Sequence, residues 1–175
     1  MSSNFICKTE NHIMTIVFNR PEQLNAFTET MVNEFITLLN QADLDDNVKV
    51  IIITGNGRAF CAGADLEKGT DTFADRKTPE NEFRDWGGRL SLRLYDMNKP
   101  MIAAINGAAV GVGVTMTLPM DIRIATSNAK FGFVFTRRGI APEACSGWCF
   151  CRELSGLVRH WNGRYPGKSS RLKKL

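Results

Sequence analysis

The sequence predicts an α/β domain in which buried strands alternate with helices. Residues 48–54 and 101–105 are almost unbroken runs of Val, Ile and Ala, and residues 13–18 form a shorter run rich in Ile, Val, Thr and Phe. Strands that are apolar on both faces are typical of parallel sheets covered by helices. Apolar residues at helical spacing separate these runs, and the alternation predicts parallel strands joined by crossover helices.

In the first half, the strand at residues 13–18 stops at Asn19-Arg20-Pro21, a turn signal. Thr28 can cap the helix that follows, because apolar residues then recur at helical spacing at Met31, Phe35, Leu38, Leu39 and Ala42. A polar turn at residues 43–47 leads into the strand at residues 48–54.

In the second half, residues 69–77 are polar and without period, which predicts a loop. One helical face then follows, formed by Phe83, Trp86, Leu90, Leu94 and Met97. The strand at residues 101–105 runs into a glycine-rich turn. The pattern predicts a helix from this turn to about Leu118, ended by Pro119, and a last strand at residues 121–125.

Composition excludes several classes of protein. The 175 residues are 43% hydrophobic and 23% charged, with no signal for secretion. The longest uncharged stretch, residues 100–120, contains Asn106 and several glycines, so we interpret it as strand, turn and helix rather than as a membrane span. Five cysteines, an odd number, favour free thiols in a reducing compartment, and we expect a cytoplasmic protein.

The positive charge is confined to the C-terminal end. Residues 152–175 hold seven basic residues and one acidic residue, so they carry +6, and the rest of the chain carries −2 of the total +4. The basic segment has no regular basic–aromatic interleaving and no nucleic-acid-binding motif. We therefore expect no nucleic-acid partner.

Two small-residue turns follow buried strands in the same way. The first is RAFCAGADL at residues 58–66, and the second is NGAAVGVG at residues 106–113. Glycine allows a ligand to approach the backbone closely, and free N–H groups at such turns can bind a negative oxygen. The alternatives are turns that only allow close packing, or a phosphate site, although neither turn has the Lys-Ser/Thr of a P-loop.

Three ordered motifs resemble the crotonase, or enoyl-CoA hydratase/isomerase, family. They are NRPEQLNA at residues 19–26, AFCAGADL at residues 59–66 and KPMIAAING at residues 99–107. The resemblance covers about residues 13–148. It implies a spiral of ββα units as the core, without the C-terminal helices that family members usually add, and an acyl-CoA substrate with no cofactor beyond its coenzyme A.

The resemblance also implies functional residues. The oxyanion donors of the family fall on the N–H groups of Ala64 and Val112, although members often carry glycine at the position of Val112. The residues matched to substrate binding are Asn25, Ala26, Ala62, Gly63, Ala64, Asp65, Leu66, Glu67, Gly111 and Val112.

The acid–base residues select the reaction. Hydratases of the family use two glutamates, whose positions correspond to Thr115 and Phe135. Some isomerases use one glutamate in a Pro-Glu segment similar to Pro142-Glu143, so Glu143 is the candidate base and isomerisation is favoured over hydration. The alternative for Glu143 is a surface residue at a helix start, and for Asp65 a backbone-bonding role rather than acid catalysis.

Residues 149–175 lose the family pattern, so we divide the chain into a core at 1–148 and an atypical basic tail at 149–175. We attribute the tail to a reading-frame shift; a genuine short protein with a basic tail is the alternative. Full-length members form trimers or hexamers, which is doubtful for this chain. An inactive acyl-CoA-binding fragment, other chemistry on the same scaffold, and a zinc site at Cys145, Cys149, Cys151 and His160 are further alternatives.

Overall fold

The computed structural model describes residues 4–67 and 85–139. Eight strands and three α-helices lie in these ranges. The strands are β1 (Phe5–Glu10), β2 (Ile13–Phe18), β3 (Val50–Gly55), β4 (Ala59–Cys61), β5 (Met101–Ile105), β6 (Ala108–Val110), β7 (Ile122–Ala125) and β8 (Phe131–Gly132). The helices are α1 (Glu29–Leu44), α2 (Trp86–Tyr95) and α3 (Val112–Thr115).

The larger sheet has five strands in the order β1-β2-β3-β5-β7. Strands β1 and β2 form an antiparallel hairpin, whereas the pairs β2–β3, β3–β5 and β5–β7 are parallel. In β3, Ile51 and Ile53 are buried and the residues between them are half-buried. The buried, parallel strand predicted at residues 48–54 is therefore confirmed.

A second sheet runs beside the first and has three short parallel strands in the order β4-β6-β8. Each strand of this sheet follows a longer strand of the first sheet after a short corner: β3 leads to β4, β5 to β6, and β7 to β8. The repetition makes a spiral of two-strand units, as the fold class predicts.

Helix α1 begins where the sequence predicts. The Thr28 hydroxyl accepts a hydrogen bond from the Met31 N–H at 3.2 Å, and the predicted apolar positions face the core. Four phenylalanines pack edge-on or stacked between α1, the hairpin and the segment before α1, with ring centroids 5.0–6.2 Å apart: Phe5, Phe18, Phe27 and Phe35.

The glycine-rich turn and the helix after it differ from the prediction. Residues Ala108–Val110, predicted as part of the turn, form β6, because their backbone pairs with β4 and β8. The helix predicted to reach about Leu118 is only Val112–Thr115. Strand β7 lies at the edge of the five-stranded sheet, with Ile122 and Ile124 exposed.

Several predictions lie outside the described residues: the loop at 69–77, Phe83, Glu143, the three cysteines after residue 139, and the division of the chain at residue 148. Over residues 4–67 and 85–139, no helix has the length and apolar character needed to cross a membrane. No group of metal-binding side chains occurs within the same ranges.

Candidate functional site

The two glycine turns predicted to act together are neighbours in the structure. Strands β4 and β6 are parallel partners, so the turns that follow them leave the same edge of the small sheet. A Cβ atom on Gly111 would lie 3.7 Å from the Cα of Gly63, and one on Gly63 would lie 3.1 Å from the Val110 carbonyl oxygen. Both glycines have positive φ, +111° at Gly63 and +55° at Gly111, which explains why glycine occupies both positions.

The first turn is held by the segment that precedes α1. The Ala62 N–H donates to the Leu24 carbonyl at 3.0 Å, the Phe27 N–H to the Gly63 carbonyl at 2.8 Å, and the Asp65 N–H to the Phe27 carbonyl at 2.8 Å. Phe27 and Ala64 thus form a short parallel bridge. Because successive N–H groups of an extended chain point to opposite sides, the Ala64 N–H faces away from this segment.

The second turn is held by β8. The Gly111 N–H donates to the Gly132 carbonyl at 2.9 Å, and the Gly111 carbonyl accepts from the Thr115 N–H at 3.0 Å. Val112 is the first residue of α3, and the first N–H groups of a helix have no acceptor within the helix. Its side chain is buried, with 1% of its surface exposed.

Two amide groups are therefore free at the meeting point of the turns. Within the part of the chain that the structure describes, the N–H groups of Ala64 and Val112 have no hydrogen-bond acceptor. These are the two donors that the sequence predicts. Paired backbone N–H groups of this kind can bind an oxygen atom on which negative charge develops.

Asp65 bonds to the backbone, which is one of the two roles that the sequence allows. It also forms an ion pair that the sequence does not predict. Its Oδ1 accepts from the Glu67 N–H at 3.1 Å, and its Oδ2 lies 3.0 Å from Arg20 Nη1. The same Arg20 nitrogen donates to the Ala26 carbonyl at 2.7 Å. Leu66 and Glu67 are exposed beside this pair.

Asn25 is fully buried and is used within the protein. Its Oδ1 accepts from the Arg20 N–H at 2.9 Å, and its Nδ2 donates to the carbonyls of Asn56 at 2.9 Å and Ala59 at 2.8 Å. The side chain thereby connects the segment before α1 to the corner between β3 and β4. Its predicted contact with substrate, and that of Ala26, stay predictions.

The positions of the two hydratase glutamates carry no carboxylate. Thr115 is buried in α3 and its hydroxyl lies 3.4 Å from the Val112 carbonyl oxygen. Phe135 is buried as well. Neither side chain can transfer a proton from an activated water. The candidate base Glu143 lies outside the described residues.

Sequence reasoning missed a basic cavity at the corners between the two sheets. Its volume is about 470 Å³, and it is lined by Leu24, Arg58, Ala59, Asn106, Gly107, Ala108, Asn128 and Lys130. Among the described residues, neither Arg58 nor Lys130 has a carboxylate partner. Such a lining favours an anionic group. Single basic residues 72 positions apart give no pattern in a sequence.

Cys61 lies within the first turn and is chemically inert. It is fully buried, and this desolvation raises the pKa of its thiol to about 12, with a backbone hydrogen bond from Gly63 acting in the opposite direction. The thiol therefore stays neutral at physiological pH.

Comparison with known proteins identifies the family. The family model described as enoyl-CoA hydratase/isomerase matches residues 8–156. Enoyl-CoA hydratase ACTT3 of Alternaria alternata is 44% identical over 167 residues, which are 93% of this chain and 55% of that protein. The 1,2-epoxyphenylacetyl-CoA isomerase of Escherichia coli K12 is 35% identical, over 91% of this chain and 61% of that protein.

Solved structures show the same fold. A crotonase from Legionella pneumophila, described as an enoyl-CoA hydratase/isomerase, superposes with a TM-score of 0.85 at 27% identity and covers 97% of this chain and 64% of that one. A probable enoyl-CoA hydratase/isomerase from Mycobacterium abscessus gives a TM-score of 0.84 at 27% identity, over 95% of this chain and 62% of that one.

The fold and these matches define a crotonase-type α/β protein. The chain belongs to the enoyl-CoA hydratase/isomerase family. It spans little more than half the length of the curated relatives it matches.

Proposed function

We propose that this chain binds an acyl-CoA and stabilises the enolate of its thioester between the N–H groups of Ala64 and Val112. The observation that carries the proposal is that these two groups have no acceptor among the described residues and lie at turns that are in contact. When negative charge develops on the thioester oxygen, these two N–H groups would already be in position to donate hydrogen bonds to it. Loss of one such donor typically lowers the rate by about 10²–10³.

Isomerisation of a 3-enoyl-CoA to the 2-enoyl isomer is the reaction favoured by the site. Moving a proton from C2 to C4 needs one base and no bound water, whereas hydration needs a water held for attack. The absence of carboxylates at Thr115 and Phe135, both buried, supports the first reaction. The relatives named above are an enoyl-CoA hydratase and an isomerase of a different substrate, 1,2-epoxyphenylacetyl-CoA, so hydration belongs in the test beside isomerisation.

Glu143 is the base in this proposal. Pro142 is a favourable first residue of a helix, and a carboxylate in the first turn is stabilised by the helix dipole. The Glu143 carboxylate would take a proton from C2 of the substrate and return it at C4, so the reaction needs no second proton donor or acceptor.

The corner cavity supports the coenzyme A part of the proposal. Coenzyme A carries phosphate groups, and Arg58 and Lys130 are basic side chains without carboxylate partners among the described residues. The cavity also includes Leu24, whose carbonyl bonds the Ala62 N–H in the first turn.

The experiment compares the two reactions on the purified chain. 3-Hexenoyl-CoA tests isomerisation and 2-hexenoyl-CoA tests hydration, with wild type and Glu143→Gln assayed side by side. We expect isomerisation by the wild type, its loss in Glu143→Gln, and little hydration by either. Hydration without isomerisation would contradict the proposed reaction, and unchanged isomerisation in Glu143→Gln would contradict the proposed base.

An inactive chain that retains acyl-CoA binding is the second candidate, favoured by the lack of a carboxylate at Thr115 and Phe135. A thermal melt with excess acyl-CoA separates the two, because a ligand raises the melting temperature only when it binds the folded state. A raised melting temperature without turnover of either substrate would support the inactive, binding chain.

A further inference from the structure

One arginine spans the short bridge that presents the Ala64 N–H. Arg20 Nη1 donates to the carbonyl of Ala26 at 2.7 Å and lies 3.0 Å from Asp65 Oδ2. Ala26 precedes Phe27, and Asp65 follows Ala64. The guanidinium therefore joins the two residues that flank the Phe27–Ala64 bridge, one on each strand of it.

Arg20 is itself fixed by its backbone. Its N–H donates to Asn25 Oδ1 at 2.9 Å, and its carbonyl accepts from the N–H groups of Gln23 at 3.1 Å and Asn25 at 2.9 Å. The side chains of Arg20 and Asp65 are only 20% and 9% exposed. A partly buried ion pair anchored at both ends holds its geometry better than an exposed one.

We propose that Arg20 and Asp65 are positioning residues: their ion pair fixes the register of the Phe27–Ala64 bridge and so directs the Ala64 N–H at the thioester oxygen. This inference rests on the proposed function for its chemical consequence. Both carboxylate oxygens of Asp65 have partners within the protein, so this inference gives the pair no contact with the reacting atoms. A displacement of about 1 Å at a donor can cost about 10²-fold in rate, so a small change in the bridge is sufficient for a large effect.

The chain contains a matched control. Arg93 in α2 pairs with Asp43 in α1 at 2.8 Å, with exposures of 18% and 10% that are close to those of the first pair. This second pair joins two helices and makes no contact with either glycine turn. The variants Arg20→Met and Arg93→Met therefore remove equivalent ion pairs, and only the first touches the bridge.

The first measurement is hydrogen exchange at the amides of Phe27 and Asp65, which make the two bonds of the bridge. We expect exchange at both amides to be at least about tenfold faster in Arg20→Met and unchanged in Arg93→Met. Equal exchange in the two variants would overturn the proposal. This readout needs neither ligand nor turnover.

The second measurement is the ratio of affinities for acetoacetyl-CoA and for coenzyme A, since the enolate of acetoacetyl-CoA places negative charge on oxygen. Arg20→Met should lower this ratio by about 10- to 100-fold, and Arg93→Met should retain it. A wild-type ratio near one would refute the proposed function, and hydrogen exchange alone would then decide the positioning role.

Asp65→Asn separates positioning from acid catalysis. Asparagine keeps an oxygen that can accept from Arg20. A positioning role therefore predicts that Asp65→Asn lowers the affinity ratio less than Arg20→Met does. The double variant Arg20→Met/Asp65→Asn should then lower the affinity ratio no more than Arg20→Met alone, because both substitutions act on the same ion pair. A loss of turnover in Asp65→Asn that exceeds the loss in Arg20→Met would assign proton transfer to Asp65 and overturn the proposal.

Discussion

Gly63 and Gly111 face each other across the two turns, with the Cα of Gly63 only 3.7 Å from the position that a Cβ atom on Gly111 would take. The residues that follow them, Ala64 and Val112, carry the two free N–H groups. The placement of both donors therefore depends on backbone conformations that glycine adopts easily.

Gly111→Ala is expected to impair both stability and ligand binding. Gly111 has φ +55° and ψ −125°, a conformation that costs a residue with a side chain about 1–3 kcal/mol. Relief of this strain would rotate the turn and move the Val112 N–H. Urea unfolding should show the loss of stability, and the affinity for acetoacetyl-CoA should fall more than the affinity for coenzyme A.

Gly139→Ala is the control for this variant. Gly139 also has positive φ, +66°, and a Cβ atom there would meet no atom of the described residues within 4 Å. It should cost about 1 kcal/mol and leave ligand affinity unchanged. Identical behaviour of the two variants would refute a special role for Gly111.

Asn25→Ala is expected to lower the free energy of unfolding by about 3 kcal/mol, because it leaves one N–H and two carbonyl groups without their partner in the interior. Asn25→Asp should be worse at pH 7, where a carboxylate would oppose two carbonyl oxygens. It should recover partly as the pH falls, because a protonated carboxyl can donate.

The control is Asn33→Ala, which removes an exposed acceptor of Arg89 and should change stability by less than about 0.5 kcal/mol. Comparable losses in Asn25→Ala and Asn33→Ala, measured by chemical denaturation, would show that the buried network contributes little.

Cys61 predicts a loss of stability in alkali. Burial raises the pKa of its thiol to about 12 in the folded chain, whereas the ordinary value of a cysteine thiol is 9.0. The folded state thus keeps a proton that the unfolded state releases. The stabilising contribution of the neutral, buried thiol to the free energy of unfolding is therefore complete below pH 9 and falls as the pH rises toward 12. The difference in free energy of unfolding between wild type and Cys61→Ala should shift against the wild type by about 1.4 kcal/mol per pH unit in this window.

Cys7→Ala provides the comparison, since Cys7 is exposed. Its removal should change the pH dependence of the free energy of unfolding above pH 9 less than the removal of Cys61 does. Parallel curves for wild type and Cys61→Ala between pH 9 and 11 would contradict the assignment.

Arg58→Gln is expected to weaken binding of acyl-CoA several-fold and to leave binding of the matching acyl-pantetheine, which lacks the nucleotide phosphates, unchanged. The effect should shrink as salt is raised, because exposed charges are screened. Lys8→Gln removes an exposed lysine that pairs with Glu10 and does not line the cavity, and it should have no effect. An equal loss for acyl-CoA and acyl-pantetheine would exclude a phosphate contact by Arg58.

Local signals in the sequence were sufficient for the long elements and insufficient for the small sheet. Thr28 predicted the start of α1 because a cap acts within one helical turn. Strands β4, β6 and β8 have two or three residues, too few to show a period, and the sequence predicts only a glycine-rich turn where β6 lies. It is a strand because of partners supplied by other parts of the chain.

The candidate site divides in the same way. The free N–H groups of Ala64 and Val112 were predicted through family motifs, each contained within a few residues. The ion pair between Arg20 and Asp65 joins residues 45 positions apart, and no local pattern could reveal it. The side-chain network of Asn25 was missed for the same reason, since its partners lie in a distant corner of the fold.

Strand β7 has a practical consequence for handling the protein. It is the edge strand of the large sheet among the described residues, and Ile122 and Ile124 are 51% and 59% exposed on it. An apolar edge strand is a template for aggregation. Purified samples should therefore precipitate or form fibrils more readily with increasing concentration and temperature, and an Ile124→Lys substitution should raise solubility by making that edge repel its copies.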